Sequence, residues 1–203
     1  MSTITKHKFS DFDKALRLLD AELSRIGAPS YRLVICGGSA LIAANLVHRT
    51  TKDVDILALY DEQAHLIDPE PLPSPLCEAA RSVAENLSLP SDWINNGPSS
   101  GDGGLFRQGL PEGIENRLQE KRIGEKLSVF FVSRIDQIYF KLYAAVDQFG
   151  GYHASDLDAL SPTDEELYAA AQWSMKHDPS GGYRQSVQSF LSQFGYETVS
   201  KRL

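Results

Sequence analysis

Sulfur is scarce in this sequence, with two cysteines, Cys36 and Cys77, in 203 residues. Two cannot build the disulfide framework of a small secreted domain, so a reduced, cytoplasmic setting is expected. Long apolar runs are missing too. No stretch approaches the ~20 apolar residues of a membrane-spanning helix, and the first residues, MSTITKHKFSDFDK, contain no apolar signal core. No membrane partner is expected. Positive charge is also short, at Lys+Arg 20 against Asp+Glu 27 and a net charge of −7. Broad nucleic-acid binding relies on Lys and Arg to neutralise phosphates, so this balance argues against it and leaves room only for a local basic patch. Neither an internal repeat nor a low-complexity tract is present. The length suits one packed domain, or a domain with a helical appendage.

What is present is concentrated in residues 36–57, CGGSALIAANLVHRTTKDVDIL. Leu33, Val34, Ile35 and Cys36 form an apolar run of strand length. Gly37 and Gly38 break it, allowing a tight turn or a close backbone approach to a ligand. Ser39 opens a short helix in which Ala40, Leu41, Ala44 and Leu46 can face a core. A second strand follows, with Val54, Ile56 and Ala58 alternating with Asp53, Asp55 and Leu57. Residues two apart on a strand share a face, so Asp53 and Asp55 point the same way. Two neighbouring carboxylates repel unless a cation compensates. A hard, oxygen-seeking ion such as Mg²⁺, kept with waters and substrate phosphates, suits them. A lone Asp-x-Asp is as often the solvated face of an edge strand.

The ordered set Gly38-Ser39, a short helix and then Asp53-Val54-Asp55 on a strand resembles the signature of the DNA polymerase β-like nucleotidyltransferase superfamily. The wording GGSAL and RTTKDVD resembles most closely the AbiEii/MenT-type nucleotidyltransferase toxins and their bacterial relatives. The resemblance implies a Mg²⁺- or Mn²⁺-dependent transfer of a nucleotide from a nucleoside triphosphate to a hydroxyl. The acceptor would be the 3′ end of tRNA, another RNA or a protein. A role in a toxin–antitoxin or defence system, with a cognate antitoxin or other partner protein, goes with it. On this reading Gly37, Gly38 and Ser39 hold the nucleotide phosphates, Arg49 and Thr51 add contacts, and Asp53 and Asp55 hold the metal.

The rest of the chain supplies a mixed α/β (α+β) frame. Ser10 reads as an N-cap with Asp13 three positions on. Phe12, Ala15, Leu16, Leu19, Leu23 and Ile26 then follow helical spacing, ended by Gly27 and Pro29. Residues 69–75 are too proline-dense for regular structure. A helix resumes near Pro75, with Leu76, Ala79, Ala80, Val83 and Leu87 on one face, and in a strand–helix–strand arrangement it crosses over the sheet. Residues 91–125 read either as a surface loop or as a lid. Residues 127–132 return as a clear strand.

Polymerase β-like enzymes commonly carry a third carboxylate on the strand after Asp-x-Asp, but 127–132 contains no acid: Asp136 or a loop residue such as Asp102 substitutes, the enzyme works without it, or catalysis is lost. Ser133 caps a helix bearing Ile135, Ile138, Tyr139, Leu142, Tyr143 and Val146. Lys141-Leu142-Tyr143-Ala144 and Asp156-Leu157 resemble two further elements of the toxin pattern, with Ser155 where that pattern has arginine. The resemblance gives Lys141 to the triphosphate and Asp156 to the acceptor hydroxyl or metal. Read singly, Lys141 is a surface lysine, Asp156 a helix cap and His153 a polar turn residue. Thr163 to Glu166 form a capping box, and a last helix spans 183–194 before Gly195.

The expected plan is therefore a small mixed sheet with flanking helices over residues 1–132 and a helical part over 133–203 that closes one side of the cleft. Two other readings fit the same residues. One is a catalytically inactive nucleotidyltransferase-fold module that binds nucleotide or a protein partner. The other is a phosphohydrolase using the same aspartates.

Overall fold

The computed structural model describes residues 9–46, 51 and 53–203. It is a mixed α+β fold whose chain divides into two compact units, Met1–Val132 and Ser133–Leu203.

In the first unit, helix α1 (Phe9–Arg25) leads into strand β1 (Tyr31–Cys36), short helix α2 (Gly37–Ala43) and strand β2 (Val54–Tyr60). Strand β3 (Leu66–Ile67), helix α3 (Ser74–Leu87), strand β4 (Ile94–Asn95), helix α4 (Leu105–Gln108) and strands β5 (Gln119–Arg122) and β6 (Leu127–Phe131) complete it. The sheet runs β3-β2-β1-β6-β5, with β4 also paired to β2. Strand β1 is antiparallel to β2 and parallel to β6. Strand β4 is parallel to β2, so α3 is the crossover helix that such a pairing requires.

One sheet face carries Leu33, Ile35, Val54, Ile56, Val129 and Phe131, packed under Phe12, Leu16, Leu19 and Leu23 of α1 and Leu76, Ala80 and Val83 of α3. Period-2 strands and 3.6-period helices put these side chains inward. At ~25 cal/mol per Å² of apolar surface removed from water, each such residue contributes about 1.5–3 kcal/mol before entropy is counted.

Four expectations are corrected here. Ser10 lies inside α1 rather than at its cap, and Asp13 binds Arg17 and Lys121 instead. Ile26 is exposed, because α1 ends at Arg25 and Gly27, at φ +66°, turns the chain away, while Ala28 enters the core. Ala44 is exposed as well, since α2 stops at Ala43. There Asn45 takes a left-handed φ of 55° and Leu46 N–H bonds back to the Leu41 carbonyl, a Schellman-type ending. Finally, strand β2 does not alternate throughout. The register with β1 slips between Val34 and Ile35, leaving Leu57 as an extra residue. This bulge exchanges the faces beyond it, so Leu59 rather than Ala58 joins Val54 and Ile56 in the core.

Residues 91–125 are held in place at many points, unlike the loop or lid expected there. Trp93 is fully buried and its indole N–H donates to the Ala80 carbonyl at 2.9 Å. The buried Ser99 hydroxyl donates to the Leu57 carbonyl at 2.7 Å, and Arg107 pairs with Asp68 at 2.6 Å.

The second unit is helical: α5 (Arg134–Asp147), α6 (Gly151–Ala159), α7 (Asp164–His177), α8 (Gly181–Gln193) and α9 (Glu197–Ser200). Ser133 caps α5, and Thr163 and Glu166 make a full capping box on α7. Arg134 clamps the unit from within, forking onto Glu166 at 2.7 and 3.0 Å and onto the carbonyls of Leu160 and Ser161. Trp173 packs edge-on against Tyr139, Phe140, Tyr143 and His177. Burial pushes the nearby Tyr183 phenol up to about 12. No described helix is long and apolar enough to cross a membrane.

Candidate functional site

The site expected in the first unit is built on the β1–α2 turn and the start of β2. Gly37 has φ +69°, in the left-handed region that favours glycine, and begins α2 directly after Cys36. A Cβ added there would overlap the carboxylate of Asp55. The glycine is therefore required twice, once for the backbone angle and once so that the Asp55 side chain can lie against the turn. Strand pairing causes this approach, because Cys36 stands opposite Asp55 in the β1–β2 register.

Asp55 and Asp53 are both half-buried, and Asp55, within the strand, faces away from Val54 and Ile56, hence away from the α1–α3 core. Asp53 precedes the first residue of β2 rather than lying within the strand. Its carboxylate accepts a hydrogen bond at 3.2 Å from the hydroxyl of Thr51, itself buried at 6% exposure. Thr51 thus orients Asp53. Ser39 is 1% exposed and its hydroxyl donates to the Cys36 carbonyl at 3.4 Å. A serine so bonded stiffens the turn, and the N–H groups of the first turn of α2, Gly38 and Ser39 included, have no partner within the helix. Arg49 lies outside the described residues.

The residue that stands beside Asp55 on the next strand is Asn95, through the parallel β2–β4 pairing. The stretch 127–132 holds no acid, and its strand β6 pairs with β1 and β5 and not with β2. Asn95 uses its side-chain oxygen to accept the Gly97 N–H at 2.8 Å. An amide thus stands beside Asp55, whereas the third carboxylate was sought on 127–132 or at Asp136 or Asp102. A two-residue strand of Ile94 and Asn95 has no periodicity to read, which is why the sequence hid it; the buried Trp93 before it was the available signal. Asp102 is exposed and Asp136 lies in the second unit, fully buried and accepting the Ser133 hydroxyl at 2.6 Å.

Lys141 and Asp156 belong to the second unit and meet each other. The ammonium lies 2.8 Å from the Asp156 carboxylate, with side-chain exposures of 5% and 3%. It also lies 3.5 Å from Nδ1 of His153. Lysine has no acceptor, so in this contact Nδ1 accepts and the proton of a neutral ring sits on Nε2. Lys141 is thus no surface lysine, Asp156 sits mid-helix in α6 and not at a cap, and His153 is a helical residue rather than part of the turn. Ser155, on the same helix, is exposed.

Both cysteines are free thiols. Among the described residues, no three of His, Cys, Asp and Glu gather as a metal-holding group. In comparisons with protein-family models, curated proteins and solved structures, nothing matches this chain.

Proposed function

We propose that this protein is a nucleotidyltransferase of the polymerase β-like type, moving a nucleoside monophosphate from a nucleoside triphosphate to a hydroxyl acceptor. The observation that carries the reading is the fit of Gly37 against Asp55, which puts a helix-opening turn and a strand carboxylate at one point of the sheet. Asp53 and Asp55 offer hard oxygen donors. That donor set fits Mg²⁺ or Mn²⁺ bound through two carboxylates with substrate phosphates and water, not a dedicated protein cage. When bound, such an ion would neutralise phosphate charge and hold the polyphosphate against the aspartates.

The protein's part is positioning. First-turn N–H groups at Gly38 and Ser39 favour an anionic phosphate, Thr51 fixes the direction of Asp53, and Asp55 is braced by the turn. The acceptor oxygen attacks the α-phosphorus, the new P–O bond forms, and the bond to pyrophosphate breaks with pyrophosphate leaving. In-line geometry and charge stabilisation supply the acceleration. The acceptor's proton passes to solvent water, since Asn95 is an amide and Asp53 and Asp55 are given to the metal. RNA, tRNA or a protein hydroxyl are the acceptors to examine, and a toxin role with a cognate antitoxin is the biological setting to examine first.

The test uses radiolabelled triphosphates with Mg²⁺ and total cellular RNA or protein. Label is expected on one of these acceptors, and is expected to vanish in Asp53→Ala/Asp55→Ala with an unchanged circular dichroism spectrum. Full transfer by that double variant would remove the proposal, and label released only as free phosphate or diphosphate would make the protein a phosphohydrolase. Asn95 beside Asp55, and the Lys141–Asp156 pair buried against itself, favour a second reading, a nucleotidyltransferase-fold module without catalysis. It predicts no transfer to any acceptor.

A further inference from the structure

The turn between α5 and α6 sets a large aromatic side chain where the backbone least suits one. Helix α5 ends in a Schellman-type turn, with Phe149 N–H on the Val146 carbonyl and Gly150 N–H on the Ala145 carbonyl. The left-handed residue of such a turn is usually Gly or Asn; here it is Phe149 at φ 49°. Burial does not account for it, since Phe149 is 58% exposed.

Its neighbours share that character. Tyr152 is 59% and Phe194 42% exposed. Phe194 lies against the turn, so close that a Cβ on Gly150 would stand 3.2 Å from its ring. Three of the exposed large apolar side chains therefore gather at one end of the second unit. Two exposed acids lie near them. Asp147 closes α5, and Asp158 on α6 lies close enough to Tyr196 to raise its phenol pKa, after burial. Both aspartates are exposed, and among the described residues neither carboxylate has an ion-pair partner. The ring of Tyr152 already has one cation, the Lys141 ammonium, 5.6 Å from its centroid.

Exposed aromatic faces with unpaired carboxylates beside them are the chemistry that recognises guanidinium groups, by stacking and by charge. Nucleic acid, whose backbone is anionic, is disfavoured by the same two aspartates. We infer that Phe149, Tyr152 and Phe194, with Asp147 and Asp158, form a docking surface for an arginine-bearing segment of a partner protein. This surface is independent of nucleotidyl transfer and stands if that activity is absent.

The test titrates the full chain into a fluorescein-labelled peptide of alternating arginine and leucine, with a glutamate–leucine peptide as control. Saturable binding of the basic peptide alone is expected. Phe149→Asn/Phe194→Ser should weaken it about tenfold or more, as for aromatic anchors in general. Asp147→Asn/Asp158→Asn should weaken it less and flatten its salt dependence. Asparagine tolerates the left-handed turn, so the melting temperature of Phe149→Asn alone should hold or rise, which separates lost docking from lost folding. No binding of the basic peptide, equal binding of both peptides, or binding unchanged in the aromatic variant would overturn the inference. A dimer of the wild-type chain in sedimentation that Phe149→Asn/Phe194→Ser abolishes would overturn it too, by assigning the patch to a second copy.

Discussion

The two units use the same side-chain chemistry in opposite ways. In the first, Asp53 and Asp55 are half-buried, and Asp55 stands on a sheet face away from the helical core. In the second, Asp156 is sealed against Lys141 with almost no exposure. A carboxylate left partly in water keeps its capacity to bind a cation or a phosphate-bound ion. A carboxylate buried with an ammonium is held by Coulomb attraction in a low-dielectric setting, and losing either partner strands a charge. Burial, more than residue identity, separates the two settings.

The sharpest way to break this comparison is Lys141→Ala. It leaves Asp156 buried and uncompensated, and should cost about 3–5 kcal/mol. Urea unfolding would read this, followed by Trp173 fluorescence in a variant where Trp93 is replaced. Lys141→Met/Asp156→Leu should recover most of the loss, since apolar replacement of a buried ion pair is often neutral or better. If Lys141→Ala leaves the unfolding midpoint unchanged, the pair is no strut.

Next in size is Gly37→Ala. The left-handed backbone alone costs about 1–2 kcal/mol, and the new Cβ also displaces Asp55. Combining it with Asp55→Ala should return the steric part and leave the backbone part, so a double-mutant cycle is expected to show coupling. Additive effects would mean that turn and carboxylate do not touch. Trp93→Phe follows, at about 1–3 kcal/mol, because the indole N–H bond to the Ala80 carbonyl is lost and the smaller ring leaves a gap where Trp93 was fully buried. Hydrogen exchange should then rise in β4 and α3 while α5 to α9 keep their protection.

The smallest effect concerns pH. The Arg134 hydrogen bonds, and next to them the Thr163 N–H, hold the Glu166 carboxyl below its usual range. A group depressed in the folded state stabilises above its unfolded pKa, about 4.3, and loses that contribution as pH falls through the folded value. Glu166→Gln should therefore flatten the acid limb of the stability profile below about pH 4.3, with little change in slope at neutral pH. An unaltered acid limb would show that the fork to Arg134 adds nothing through charge.

Much of the frame was legible because it is local. The strand read at 33–36, which begins two residues earlier, the strand read at 127–132, helices α3, α5 and α7, and the caps at Ser133 and Thr163 all follow from periodicity and capping chemistry within a few residues. Helix α1 was legible in its core positions but not at its ends. The bulge at Leu57, the strand at Asn95 and the Lys141–Asp156 bond were hidden, since each joins residues whose local wording does not mention the other.

What the sequence determined by itself was therefore the strand that carries Asp55, and a glycine at the position where the chain turns left-handed against that carboxylate. Only the tertiary structure decided that Asn95 would be the neighbour of Asp55, and that Lys141 would close on Asp156. Those outcomes depend on strand register and helix packing between distant segments, and a register is chosen by the whole core at once. Periodicity settles which way a side chain points; what it meets is settled by what folds against it.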